Sequence, residues 1–257
     1  MRLKELQPQI QDYCKKLAPQ EACGLILKND LEFEFVPCEN IAVDKETNFK
    51  IADTTMLKYS KDIYSIFHSH VEGGTPAVTL SDIKTCEAWG CIGSIVFLSP
   101  NDNNICSDVV FYGKEVIYKK LTGRPYYYNV FDCFTMIRDF YYTQLNIDLK
   151  HVYSDYGWWE HTEHKDSLYL KEPDRLNLVE IDIRQPLQVG DILSMKLGRS
   201  KCINHGSIYV GNNKILHHLE GKLSCTESFG KYGNRVERGL RYNPEIKLLP
   251  KQEKVVF

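Results

Sequence analysis

No apolar run in the chain approaches the ~20 residues that a bilayer-spanning helix needs, so no membrane-spanning segment is expected. Neither sign of charge is in excess. The 32 Lys and Arg against 34 Asp and Glu leave a net charge of −2, with no basic stripe carrying interleaved aromatics, so nucleic acid is not expected as a partner. The nine cysteines are odd in number and scattered, with no C-x-x-C pair, which argues against a disulfide framework; most are expected to be reduced, buried thiols. The first residues, Met1-Arg2-Leu3-Lys4-Glu5-Leu6, lack the apolar core of a secretion signal. They read instead as an amphipathic helix with Leu3, Leu6, Ile10, Tyr13 and Leu17 near one face, and the chain is expected to be made and folded in a cytoplasm. There is also no Pro/Ser-rich linker, internal repeat or low-complexity tract.

What is present is enough apolar residue for one large domain or two ordinary ones in 257 residues. Residues 21–27 read as a buried strand. Leu31, Phe33 and Phe35 alternate with Glu32 and Glu34, the period of a half-buried strand. Residues 63–67 form another strand-like run ending at His68, and 81–89 look helical. Residues 94–98 and 108–112 suggest a hairpin around the polar loop 100–104. A helix is expected from Cys133 to Leu145, the stretch 150–175 is polar and aromatic with weak periodicity, and strand-like runs return after Gly190-Asp191. The expected class is α+β in two domains, 1–115 and 116–257.

Chemistry-bearing residues are concentrated in the second domain at Cys133, His205 and His217. A thiol needs a base to become a nucleophile near neutral pH, and the base needs a third polar group to hold its ring. Cys133 precedes the helix-like run, where the positive end of the helix dipole favours a thiolate and a backbone N–H can stabilise an oxyanion. The two histidines fall on successive strand-like runs, an arrangement suited to covalent hydrolysis of an amide. His218 rivals His217, because adjacent strand residues point to opposite faces.

In the first domain, His68-Ser69-His70 puts two imidazoles on one side of an extended chain, and Asp82 follows. Two His and one Asp suit zinc with an open fourth position, and Glu21 can act as general base on a water there. The pair His161 and His164 has no acidic or thiol company and reads as exposed loop over Trp158 and Trp159.

Five ordered pieces make the second domain resemble the NlpC-type cysteine peptidases, which are papain-like: Gly123-x-Pro125-Tyr126, Asp132-Cys133, Gly190-Asp191-Ile192, His205-x-x-Ile208-Tyr209-x-Gly211 and Lys214-Ile215-Leu216-His217. The resemblance implies Cys133 as nucleophile, His205 as base, His217 as the group orienting it, and Tyr126 in support. Phe134 stands where many members have a small residue. The first domain resembles the JAMM (MPN-type) metalloproteases, which have a mixed-sheet α/β fold. Glu21 with Cys23-Gly24-Leu25, then His68, His70, Thr79 and Asp82, fill that pattern, and Asn40 and Phe49 also match. Thr79 takes the place of a serine whose hydroxyl can stabilise an oxyanion, Val71 takes the place of a proline, and the implied cofactor is Zn2+.

The two domains in this order resemble the tail-tip assembly proteins of long-tailed phages. That resemblance implies a virion-tail location, other tail-tip proteins as partners, and the peptidoglycan stem peptide as substrate, cut at an amide beside an acidic D-residue. The alternatives are a structural tail component with vestigial sites and a cellular cell-wall hydrolase, the latter disfavoured by the missing secretion signal.

Overall fold

In the computed structural model, which describes residues 1–71, 75–99, 105–243 and 254–257, the amphipathic N-terminus is split. A 3-10 turn, Leu3–Leu6, leads into α1 (Gln7–Leu17). Pro8 has no N–H to bond back to the preceding turn, so it is accommodated only at the start of the α-helix. Leu6, Ile10 and Cys14 are buried. The chain divides into two compact units, Met1–Val116 and Ile117–Phe257.

The first unit is built on β1 (Cys23–Asn29), β2 (Glu32–Cys38), β3 (Ile63–Val71), β4 (Ile92–Ser99), β5 (Ile105–Cys106) and β6 (Val110–Tyr112), with α2 (Asp53–Tyr59) and α3 (Leu80–Trp89). The strand order is β2-β1-β3-β4-β5, with β6 also on β4. β3 and β4 are parallel and joined through α3; the other pairings are antiparallel. The segments expected to form a hairpin do pair, but their loop at 100–104 lies outside the described residues.

Three strand limits differ from the sequence reading. The run at 63–67 continues through both histidines, because as a central strand β3 is bonded on one side by β1 (Cys23 opposite His68) and on the other by β4 (Ile95 opposite His68, Phe97 opposite His70). Leu31 is 88% exposed: with Asp30, whose φ is +53°, it forms the turn between β1 and β2 and lies outside the alternating strand. Glu21 precedes β1 and is not part of it. Its N–H goes to the Lys45 carbonyl, and strand pairing begins at Cys23.

One close approach fixes the β4–β6 packing. Gly93 lies opposite Tyr112, whose ring covers it so tightly that a Cβ there would sit 2.0 Å from Tyr112 Cζ. Tyr112 is 2% exposed and cannot swing aside. Gly93→Ala is therefore expected to destabilise this unit by about 1–3 kcal/mol or more, read as a lower denaturation midpoint in urea.

The second unit packs α4 (Cys133–Gln144) on an antiparallel sheet of β8 (Leu178–Ile181), β9 (Ile192–Met195), β10 (His205–Gly211), β11 (Lys214–His217), β12 (Cys225–Ser228) and β13 (Val236–Tyr242), in the order β12-β11-β10-β9-β13-β8. Alternation along the strands gives two apolar faces. Ile192, Ile208, Leu216 and Leu240 meet Met136, Ile137 and Phe140 of α4, while Leu193, Met195 and Ile215 form a second cluster with Tyr232. β7 (Val116–Ile117) pairs with β14 (Val255–Val256), and the Phe257 N–H donates to the Ile117 carbonyl. The stretch 150–175 is ordered as 3-10 turns at Trp158–Glu160 and His164–Asp166 and a short helix, α5 (Leu168–Lys171). Among the described residues no helix is long and apolar enough to cross a membrane.

Candidate active sites

β3 carries His68 and His70 on one face near its C-terminal end, and the connection to α3 brings the first turn of that helix back over them. His68 Nε2 lies 3.0 Å from His70 Nε2 and 3.4 Å from Asp82 Oδ1, and His70 Nε2 lies 3.6 Å from Asp82 Oδ2. All three residues are buried. Zinc with ligands at ~2.0–2.1 Å in a tetrahedron would need ligand atoms about 3.3 Å apart, so the donor set fits that ion. Glu21 Oε1 lies 3.6 Å from His70 Nε2. Asn40, also buried, donates to the Glu21 carbonyl at 3.0 Å, and the Phe49 ring stacks on His68 at 4.5 Å. His70 Nδ1 meets the Ala77 carbonyl at 3.0 Å, a contact that turns its Nε2 toward the cluster. Burial holds the His68 imidazole below its ordinary pKa, against the opposing pull of Asp82. The Asp82 carboxyl is lowered overall: burial acts to raise it, but the charge and hydrogen bond of His68 and the charge of His70 outweigh that.

Thr79 also has a structural role. It is the N-cap of α3: its Oγ1 accepts from the Asp82 N–H and donates to Asp82 Oδ2 at 2.8 Å, and its own N–H donates to the same oxygen at 2.8 Å. Its hydroxyl proton thus holds the Asp82 carboxylate.

In the second unit, Asp132 caps α4. It accepts the Thr135 N–H at 2.8 Å, and its own N–H reaches Thr135 Oγ1 at 2.9 Å. This places Cys133 in the first turn, on the wall of a cavity of about 740 Å³ that His205, Tyr126, Trp158 and Trp159 also line. The tryptophans therefore face this cavity and do not simply underlie His161 and His164, which are exposed.

The β10–β11 hairpin turns at Asn212 and Asn213, both at positive φ (49° and 54°), as tight hairpin turns require. That turn sets His217 opposite Ser207, diagonal to His205, and His205 Nε2 lies 3.4 Å from His217 Nδ1. His218 instead turns to the cavity, where the Tyr126 ring meets it edge-on at 5.2 Å and its Nε2 meets the Lys222 carbonyl at 3.1 Å.

The expectation of a favoured thiolate at Cys133 is corrected. Its hydrogen-bond partner is the Tyr169 hydroxyl at 3.1 Å, not His205. A backbone hydrogen bond at the start of α4 acts to lower its pKa, but the thiol is raised overall. Burial, and then the adjacent Asp132 charge, push the thiol up to about 11, with the Tyr169 hydrogen bond acting the other way. Burial, with His217 and His218 beside it, pushes His205 down to about 3. The resting site holds a neutral thiol and a neutral imidazole.

Gly206 makes room for this arrangement, since a Cβ there would lie 2.9 Å from both Ile137 Cδ1 and Tyr169 Cε1. Alkylation of Cys133 by iodoacetamide, followed on its own tryptic peptide, is expected to accelerate with pH toward a midpoint near 11. Tyr169→Phe should move that midpoint higher by removing a donor to the sulfur. A midpoint below 8 in the unaltered protein would contradict a neutral resting thiol.

Three residues were missed by the sequence reading. Tyr169 lies in the weakly periodic stretch. Glu227 and Tyr232 follow the motif pieces and are connected to them only by pairing of β12 with β11. Glu227 Oε2 is 2.8 Å from His217 Nε2 and 2.5 Å from the Tyr232 hydroxyl, and Lys231 donates to its other oxygen.

Comparison with known proteins bears on the whole chain and on the second unit. The chain is 25% identical over 224 residues to "Tail tip assembly protein K" of Escherichia phage N15, covering 83% of this chain and 84% of that protein. It is 32% identical over 109 residues to "Tail tip assembly protein K" of Escherichia phage lambda, covering 42% of this chain and 52% of that protein. The part of the chain that holds Cys133, His205, His217 and Glu227, residues 123–240, matches the NlpC/P60 family.

Proposed function

We propose that this chain is a phage tail-tip component carrying a cysteine peptidase that cuts peptidoglycan stem peptides, with a zinc-dependent hydrolase in its first unit. The observation that carries the peptidase reading is the shared cavity of Cys133 and His205, with His217 behind the base, inside a segment matching NlpC/P60. The similarity over most of the chain to the tail tip assembly protein of phage N15 supports the virion-tail location and tail-protein partners.

In the proposed reaction the substrate displaces the Tyr169 hydroxyl from the thiol. His205 takes the thiol proton as Cys133 Sγ bonds to the scissile carbonyl carbon. The backbone N–H of Cys133 at the start of α4 stabilises the oxyanion. His205 returns the proton to the leaving amine as the C–N bond breaks, and water then hydrolyses the thioester. Tyr126 and the Trp158–Trp159 pair offer flat apolar walls to the substrate.

In the first unit His68, His70 and Asp82 would hold zinc, which supplies Lewis acidity that makes water a nucleophile near neutral pH. Glu21 would take the proton of that water, with Asn40 fixing its backbone. Thr79 would hold the Asp82 carboxylate in place.

Incubation of the purified protein with defined muropeptides, with and without a chelator, followed by mass spectrometry, tests this reading. Cleavage at a stem-peptide amide that survives chelation is expected. No cleavage of any muropeptide would leave a structural role in the tail.

A further inference from the structure

Glu227 lies outside the segments that first mark the cavity, yet it terminates a line of polar contacts that begins there. β12 pairs with β11 so that Cys225 is opposite His217 and Glu227 is opposite Ile215, placing Glu227 beside the His217 ring. The line runs from His205 Nε2 to His217 Nδ1 at 3.4 Å, then from His217 Nε2 to Glu227 Oε2 at 2.8 Å. His217 is fully buried and packs edge-on against Tyr232 at 4.9 Å, so its ring has no freedom to seek other partners.

We propose, on the cysteine-peptidase reading of this cavity, that Glu227 is a positioning residue that sets the tautomers of both histidines and so aims the basic nitrogen of His205 at the reacting thiol. A carboxylate offers only lone pairs. The Tyr232 hydroxyl and the Lys231 ammonium already donate to Glu227, which keeps it ionised and holds its pKa at about 2. His217 must therefore carry its proton on Nε2.

Burial lowers the His217 pKa against the pull of Glu227, and a neutral ring with its proton on Nε2 has Nδ1 as a lone pair. That lone pair is satisfied only by a proton on His205 Nε2, and a neutral His205 is then basic at Nδ1. One fixed acceptor at the far end thus decides the protonation of four ring nitrogens. The 3.4 Å contact is long for a hydrogen bond and has room to tighten when His205 becomes charged during attack.

Nitrogen-15 and proton NMR of the full chain with labelled histidine reads the tautomers directly and needs no substrate. In the unaltered protein both His217 and His205 are expected to be protonated at Nε2 and bare at Nδ1. Glu227→Ala should convert these into tautomer mixtures and lower kcat on a muropeptide by about 100-fold, the lower range for misplaced acid–base catalysis, with KM little changed. Glu227→Gln keeps a carbonyl acceptor and should restore the Nε2 tautomer and most of the rate.

A proton on His217 Nδ1 in the unaltered protein would overturn the proposal. So would unchanged tautomers and rate in Glu227→Ala, or a Gln variant as slow and as mixed as the Ala variant. If the tautomers behave as expected but no muropeptide is cleaved, the relay stands and the substrate reading falls.

Discussion

Cys133→Ala is expected to abolish stem-peptide cleavage, a loss of about 10⁴-fold or more, because a methyl group forms no thioester and nothing else in the cavity can replace it. The substitution should leave the fold intact. The capping of α4 rests on Asp132 and Thr135, which are untouched. Identical thermal unfolding of the two proteins would show that the loss is chemical. Residual cleavage at more than about a hundredth of the original rate would mean that another group is the nucleophile. Metal content should not change, since His68, His70 and Asp82 all lie in Met1–Val116.

The second large effect is expected in the first unit. His68→Ala should take bound zinc, measured by elemental analysis after reconstitution, from about one per chain to none. Glu21→Gln should keep the metal, because the carboxylate stands beside the ligand set, 3.6 Å from His70 Nε2. It should nonetheless stop metal-dependent hydrolysis, since an amide is a poor base. Stem-peptide cleavage should continue in both variants and in chelator. Zinc-free wild-type protein after careful reconstitution would argue for a scaffold. Chelator-sensitive muropeptide cleavage by folded protein would mean that the domains are coupled or that the cysteine assignment is mistaken.

How far these sites could be read in advance depended on whether their residues are neighbours in the chain. His68 and His70 are two apart on one strand, and period-2 geometry alone puts both imidazoles on one face. Asp82 and Thr79 sit at a helix start whose capping pattern is visible as Thr-x-x-Asp, although the pattern does not say which partner the hydroxyl proton serves. Leu31 shows the limit of periodicity: it continues the alternation of Phe33 and Phe35 yet falls in a turn, because the bend is set by Asp30 and not by hydrophobicity.

The sequence by itself determined the residue types, the order of the motif pieces, the strand and helix starts near them, and the absence of a bilayer-spanning run. These depend on local spacing and side-chain chemistry, which are properties of the chain. Only the tertiary structure decided that the thiol rests against Tyr169, that burial outweighs the backbone hydrogen bond at Cys133, that Thr79 serves Asp82, and that Glu227 stands behind His217. Those outcomes depend on strand register and on desolvation, which arise when segments 36 residues apart, as Cys133 and Tyr169 are, are packed together and water is removed between them.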